Sequence, residues 1–132
     1  MWENKQKTLN KTVDFLGTGL HSGKTVSMKL IPAEANTGIV FRRTDLKKNN
    51  EIKANYENVS SAKLCTKIEN YHGVSISTIE HLMASFYICG VDNSVVELSG
   101  GEVPIMDGSA IEFVKKIKEI GLKTLEQNRK FI

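Results

Sequence analysis

The sequence has few cysteines and no long apolar run. Cys65 and Cys89 are the only two cysteines, and they lie on unlike segments without Cys-x-x-Cys spacing or an N-terminal secretory signal. A disulfide framework is therefore excluded, and a reducing cytoplasm is the simplest location. No apolar run approaches the roughly 18 residues that span a bilayer, so we expect no integral membrane segment.

The formal net charge is also small, at +3 for 132 residues. Arg42 and Arg43 are adjacent, as are Lys47 and Lys48, but the bases are spread through the sequence without an aromatic stacking pattern. Nucleic-acid binding is therefore a weak alternative. Apolar residues make up 40% of the chain and charged residues 25%, which is typical of a globular protein. This length suits one domain with a substantial core.

Hydrophobic periodicity predicts a series of strands and two helices. Residues 25–31 alternate between apolar and polar side chains, as a half-buried strand does, and residues 39–41 are predicted to form a hairpin with them. The other predicted elements are an edge strand within 6–15, a short strand within 52–59, a hairpin of 64–68 with 74–76, a strand at 94–98, and helices from residues 77 and 109. This order predicts an α+β fold, a two-layer sandwich in which a mostly antiparallel sheet carries both helices on one face.

The first predicted helix begins with an acid and an imidazole side by side. Ser77 and Glu80 have the spacing of a capping box, and Gly90 stands where a left-handed C-cap belongs. His81 is predicted to lie nearly opposite the apolar stripe, beside Ala84, Ser85 and Ile88, so we expect another surface to pack against its face. The stripe that should face the sheet consists of Ile79, Leu82, Met83, Phe86 and Tyr87.

Glu80 and His81 are residue types suited to metal-dependent hydrolysis. A neutral imidazole nitrogen can ligate zinc, and a neighbouring carboxylate can take a proton from the attacking water. A Glu-His dipeptide is a weak signal, however, and a cap glutamate followed by an exposed histidine explains it more simply.

A second candidate segment is the glycine-rich stretch Gly-Thr-Gly-Leu-His-Ser-Gly at residues 17–23. Its glycines permit backbone conformations that other residues avoid, and they permit a close approach of the backbone to a ligand. It lacks the spacing of phosphate-binding loops. The simpler interpretation is a hairpin turn with His21 exposed at its tip.

Four stretches taken together resemble a known family. They are residues 17–23, Asn-Thr-Gly-Ile-Val-Phe-Arg-Arg-Thr-Asp-Leu at 36–46, Ser-Thr-Ile-Glu-His-Leu at 77–82 and Glu-Val-Pro-Ile-Met-Asp-Gly-Ser at 102–109. With Leu-Cys-Thr at 64–66 between them, they are similar to the UDP-3-O-acyl-N-acetylglucosamine deacetylases. These are zinc enzymes of lipid A (lipopolysaccharide) biosynthesis in Gram-negative bacteria. The likeness covers essentially the whole chain.

The resemblance implies a role for each matched residue. Glu80 would be the general base and His81 a Zn²⁺ ligand in hydrolysis of the N-acetyl group of an acylated UDP-N-acetylglucosamine, which releases acetate. The residues implied in substrate binding are Leu64, Cys65, Thr66 and His21.

The sequence departs from the family in what it lacks. Family members have two similar α+β domains, and the second supplies a histidine and an aspartate that complete the zinc site. This chain has three histidines, of which His21 and His72 do not match metal positions. We therefore expect residues 1–132 to be the N-terminal domain alone, inactive without the second domain. The alternative is a single-domain, non-catalytic relative that binds an acyl-sugar nucleotide or regulates a partner.

Overall fold

The computed structural model describes residues 4–55, 59–61, 66–106, 108 and 110–129. Within them the chain forms ten strands and two helices. The elements in chain order are β1 (Lys5–Leu9), β2 (Val13–Thr18), β3 (Thr25–Pro32), β4 (Ile39–Arg43), β5 (Glu51–Lys53), β6 (Val59–Ser61), β7 (Thr66–Glu69), β8 (Ser75–Ser77), α1 (Glu80–Cys89), β9 (Ser94–Leu98), α2 (Ile111–Ile120) and β10 (Leu122–Asn128). Neither of these helices is long and apolar enough to cross a membrane.

The strands are divided among three sheets. The principal sheet has the order β2-β3-β9-β4-β5, a second pairs β1 with β10, and a third has the order β6-β7-β8. Among the paired strands of the described residues, only β4 and β9 run parallel. The predicted α+β class with mostly antiparallel pairing is confirmed, although the sequence had indicated a single sheet.

The predicted hairpin between β3 and β4 is wrong. β9 lies between them, antiparallel to β3 with Leu30 opposite Val96, and parallel to β4 with Phe41 opposite Val96. The interposed strand comes from much later in the chain, so no local pattern could indicate it. The second predicted hairpin is present as β7 and β8, which pair Ile68 with Ile76.

One face of the principal sheet carries the core. Along β3 and β9 alternate side chains point inward, and Leu30, Val96 and Leu98 are fully buried. Burial of such a side chain stabilises a fold by about 1.5–3 kcal/mol. The buried apolar residues of both helices belong to the same cluster. At α2 and β2 the rings of Phe15 and Phe113 meet edge to face with centroids 5.1 Å apart.

Residues 6–15 form two strands in different sheets instead of the single predicted edge strand. β2 joins the principal sheet, whereas β1 pairs with β10. Gln6, which is buried, connects the small sheet to the rest. Its amide donates to Asn36 Oδ1 (2.9 Å) and its Oε1 accepts from Asn93 Nδ2 (3.0 Å). These bonds satisfy polar groups that burial would otherwise leave without partners.

Both helices begin later than predicted, and the capping box predicted for α1 is absent. Their N-cap residues are Ile79 and Ala110, and neither start has a side-chain capping hydrogen bond. At α1 the reason is that Ser77 belongs to β8, where its N–H donates to Gly101 O (2.9 Å). Ser109, the predicted cap of α2, lies outside the described residues. The predicted C-terminal glycines are confirmed, because Gly90 and Gly121 end α1 and α2.

The buried face of α1 is rotated relative to the predicted stripe. Phe86 is buried as predicted, but Tyr87 is 89% exposed. Ser85, predicted on the opposite face, is fully buried. Its hydroxyl donates to His81 O (2.7 Å) and lies 3.3 Å from Ala110 O at the start of α2. The two helices therefore meet along the Ser85 side of α1, which leaves Tyr87 outside.

Candidate active site

Glu80 and His81 form the first turn of α1, directly after a strained residue. Thr78 joins β8 to the helix with φ of 60°, a conformation that is unusual for a β-branched side chain. Its N–H donates to Thr66 O (2.8 Å), and the N–H of Ile79 donates to the same oxygen at 3.4 Å. Strand β7 therefore fixes the start of the helix that carries Glu80 and His81.

The Glu80 carboxylate has no structural role in capping the helix. Its Oε1 is buried and has no hydrogen-bond partner in the described part of the chain. Such an atom is costly to leave unpaired, and in native proteins it often marks a functional position. His81 follows it at a half-buried position. A proton acceptor and a metal-binding type of side chain are thus adjacent at one helix start.

The predicted substrate-binding residues fall partly within the structure. Leu64 and Cys65 lie outside the described residues. Thr66 begins β7 and is bonded through its carbonyl to the start of α1. His21 is exposed in the turn after β2, as the sequence predicted.

Glu102, to which no sequence pattern assigns a chemical role, connects the His21 turn to the start of α1. The side chain is 5% exposed. Its Oε2 accepts from the backbone N–H of His21 (2.8 Å) and from the hydroxyl of Thr78 (3.2 Å). Its Oε1 accepts from the backbone N–H of Ser22 (3.1 Å). One carboxylate therefore holds the turn and the strained residue that precedes the helix.

The pKa of Glu102 reflects this environment. Burial raises it, but the hydrogen bonds from the His21 and Ser22 amides and from the Ser22 and Thr78 hydroxyls lower it by more, so the pKa lies below the ordinary 4.5. Hydrogen bonds to the charged form stabilise it in this way. Glu102 is consequently ionised at neutral pH.

The glycines of residues 17–23 serve two different needs. A Cβ at Gly17 would lie 2.9 Å from Pro104 Cβ, and one at Gly19 would collide with the Glu102 carboxylate. Gly23 has open space around it but a φ of 69°, which side chains disfavour. Two of the glycines thus let the segment that follows β9 approach the turn, and the third closes the turn. The run of glycines at residues 17–23 is the sequence signal of this close approach, and it could have pointed to Glu102.

A cleft of about 500 Å³ lies beside this connection. His21, Ser77 and Glu102 line it, whereas Glu80 and His81 do not. The cleft therefore includes the end of β8, which precedes the candidate catalytic pair, and does not include the pair itself.

Arg42 and Arg43 are both engaged within the fold. Arg42 pairs with Glu51 (2.8 Å) and Glu97 (3.1 Å), and Arg43 pairs with Asp45 (2.7 Å). The hydrogen bond and charge of Arg43 hold the pKa of Asp45 below its ordinary value, although burial opposes them. The basic pair that motivated the nucleic-acid alternative is thus neutralised by neighbouring carboxylates.

His81 does not belong to a complete metal site in the described residues. Among them, no three side chains of histidine, cysteine, aspartate and glutamate converge to hold an ion. A catalytic zinc ordinarily takes three protein ligands and keeps one position for water or substrate. The unpartnered carboxylate and the adjacent imidazole are of the residue types that fit part of such a site.

Comparison with known proteins covers almost the whole chain. Residues 6–132 match the sequence profile of the UDP-3-O-acyl N-acetylglycosamine deacetylases. The chain belongs to this family. It is similar to proteins named UDP-3-O-acyl-N-acetylglucosamine deacetylase, with 50% identity over 127 residues to that of Geotalea uraniireducens, 46% over 129 to that of Wigglesworthia glossinidia brevipalpis and 48% over 128 to that of Pseudoalteromonas atlantica.

The alignments cover nearly all of this chain but less than half of each relative. They include 96–97% of this chain but 41–43% of each relative. The chain therefore spans about two fifths of the length of the deacetylases it matches. The matched region contains all four candidate residues that the structure describes, which are His21, Thr66, Glu80 and His81.

Proposed function

We propose that this chain is the N-terminal domain of a zinc-dependent deacetylase that removes the N-acetyl group of UDP-3-O-acyl-N-acetylglucosamine and releases acetate, in lipid A biosynthesis. The observation that carries the proposal is the buried, unpartnered Oε1 of Glu80, directly before His81 at the start of α1. The names of the relatives support the same reaction. A cytoplasmic location is part of the proposal, because Cys89 is a free thiol of the kind a reducing compartment maintains.

Glu80 acts as the general base in this proposal. Its Oε1 has no competing hydrogen bond in the described residues, so the carboxylate is free to take a proton from the water that attacks the amide carbonyl. A positioned base of this kind contributes about 10²–10⁴-fold to a rate. His81 supplies one imidazole ligand to the metal. Zinc, when bound, acidifies the attacking water and polarises the carbonyl.

The substrate side of the site is proposed to include the start of β7 and the His21 turn. Thr66 begins β7, and with Leu64 and Cys65 it would contact the substrate. His21 presents an exposed imidazole on a turn that Glu102 connects to Thr78, two residues before Glu80. These connections support one shared site for the three segments.

A second domain would complete the site, because one imidazole is too few to hold a catalytic zinc. The outer face of α1 is suited to receive it. Tyr87 is 89% exposed and Ile88 62%, Ala84 lies beside them, and Ile111 at the start of α2 is 55% exposed. Exposed apolar surface of this kind often marks an interface. We propose that the second domain covers this face, and that the 132-residue chain releases no acetate by itself.

The test uses the complete two-domain protein. Glu80→Gln should retain zinc and substrate affinity and should lower kcat for acetate release by about 10²–10⁴-fold. Glu112→Gln is the matched control, since Glu112 is the acid in the first turn of the other helix. It should leave kcat unchanged. Zinc content by atomic absorption and far-UV circular dichroism would exclude metal loss and unfolding as causes.

Three results would each contradict part or all of the proposal. A complete, zinc-loaded protein that releases no acetate would contradict the reaction. Full activity in Glu80→Gln would instead retain the reaction and remove Glu80 as its base. A protein that binds the substrate equally well with glutamate or glutamine at this position, and never hydrolyses it, would favour the non-catalytic binding alternative.

A further inference from the structure

Glu102 joins two parts of the site that are remote in sequence. Its bonds to the His21 amide and the Thr78 hydroxyl span 81 and 24 residues. The His21 turn follows β2, whereas Thr78 immediately precedes α1. The Glu102 carboxylate therefore links the His21 turn directly to the start of α1 through its side chain.

We propose that Glu102 is a positioning residue of the deacetylase reaction, which fixes the His21 turn and the start of the Glu80–His81 helix relative to each other. This inference rests on the proposed function. Glu102 does not act on the substrate itself. It acts through the two segments that its carboxylate holds.

The chemistry of the position requires an ionised carboxylate with both oxygens in use. Two backbone N–H groups and a hydroxyl donate to it, so each oxygen has at least one donor. A glutamine of the same shape has one acceptor oxygen, and its amide N–H₂ would face a backbone N–H instead of accepting from it. The lowered pKa of Glu102 agrees with a group that is charged whenever the enzyme works.

The surroundings leave this carboxylate little freedom. It is 5% exposed, and a Cβ on Gly19 would collide with its Oε1. The backbone of the turn therefore approaches the carboxylate as closely as a residue without a side chain permits. A group held so tightly transmits any change in its position to the turn.

Thr78 shows why the helix start needs external support. A β-branched residue at φ 60° is strained, and such a conformation persists only where its surroundings determine it. Two bonds do so here, from its N–H to Thr66 O and from its hydroxyl to Glu102. Because Glu80 follows two residues later, loss of the second bond should let the carboxylate of Glu80 move from its productive place.

The test compares Glu102→Gln with Glu97→Gln in the complete two-domain protein. Glu97 is a matched control because it also accepts a side-chain hydrogen bond in the fold, from Arg42 at 3.1 Å, outside the site. We expect Glu102→Gln to lower kcat by about 10- to 100-fold, since a small displacement of reacting groups has effects of this size. The KM and the zinc content should stay near the wild-type values, and Glu97→Gln should match the wild type throughout.

A spectroscopic readout separates positioning from a general loss of structure. In ¹H–¹⁵N spectra, Glu102→Gln should shift the amide resonances of His21, Ser22 and Glu80 together and leave those of the distant β5 strand in place. Unmoved His21 and Glu80 resonances, or an unchanged kcat, would overturn the proposal. Should the wild-type protein release no acetate, the proposed function fails, while the amide shifts still decide whether Glu102 holds the two segments.

A second pair of variants covers the case in which Glu102→Gln does not fold. Thr78→Val removes the hydroxyl that donates to Glu102, and Thr78→Ser keeps it. Positioning predicts a lower kcat in Thr78→Val and recovery in Thr78→Ser. Equal kcat values for Thr78→Val and the wild type would overturn the proposal independently of Glu102→Gln.

Discussion

Adjacent aromatic residues of α1 provide the sharpest test of the fold and of the surface it leaves open. Phe86 is 2% exposed within the core, whereas Tyr87 is 89% exposed. Truncation of a buried phenylalanine to alanine costs about 3–5 kcal/mol of unfolding free energy, because it removes apolar burial and leaves a cavity. Truncation of an exposed side chain usually changes stability by less than about 0.5 kcal/mol. In the 132-residue chain, Phe86→Ala should therefore lower the free energy of unfolding strongly, and Tyr87→Ala should leave it nearly unchanged.

The same tyrosine should behave differently in the proposed two-domain protein. If the second domain covers the outer face of α1, Tyr87 becomes buried there, and its truncation should cost about 1.5–3 kcal/mol. Tyr71 is the control, because it is 98% exposed in the turn between β7 and β8. Tyr71→Ala should be silent in both proteins.

The assay is urea unfolding followed by circular dichroism at several wavelengths, with the midpoint and slope compared between variants. Equal destabilisation by Phe86→Ala and Tyr87→Ala in the short chain would refute the observed rotation of α1 and restore the predicted stripe. A silent Tyr87→Ala in the complete protein would show that the second domain does not dock on this face.

Three further predictions concern the connection between Glu102 and the glycine-rich turn. The pKa of Glu102 is lower in the folded state than its ordinary value of 4.5. The ionised carboxylate therefore stabilises the fold fully above pH 4.5, and this contribution is lost as the pH falls through the folded pKa. In urea titrations at several pH values, Glu102→Gln should reduce the loss of stability at acid pH. Gly19→Ala should cost about 1–3 kcal/mol in the same assay, because its Cβ would displace the Glu102 carboxylate. Gly23→Ala should cost about 1–2 kcal/mol from its positive φ alone, and Gly23→Asn less, since asparagine tolerates that conformation.

Local patterns in the sequence predicted the local features of this fold. The alternation along residues 25–31 marks β3 because side chains of a strand point alternately to its two faces. Gly90 marks the end of α1, where φ is 83°. The place of β9 between β3 and β4 could not be predicted in the same way, because it depends on pairing between segments that are remote in the chain.

The rotation of α1 has a similar cause. Leu82 is apolar and Tyr87 is apolar except for its hydroxyl, and periodicity alone assigned them to one face. The structure instead buries Ser85, because its hydroxyl satisfies a backbone carbonyl within α1 and lies against the start of α2. A small hydroxyl residue lets two helices approach closely, and its burial depends on a neighbour that the helix pattern does not contain.

The failed capping-box prediction bears directly on the proposed base. A capping box would have directed the Glu80 carboxylate to the backbone N–H of Ser77, as a structural acceptor. That N–H donates instead to Gly101 O, because Ser77 continues β8 beside the segment that contains Glu102. The helix consequently begins at Glu80, with one carboxylate oxygen buried and unpartnered in the described residues. The sheet that removes the capping role from Glu80 thus leaves its carboxylate available to accept a proton, which the sequence pattern by itself argued against.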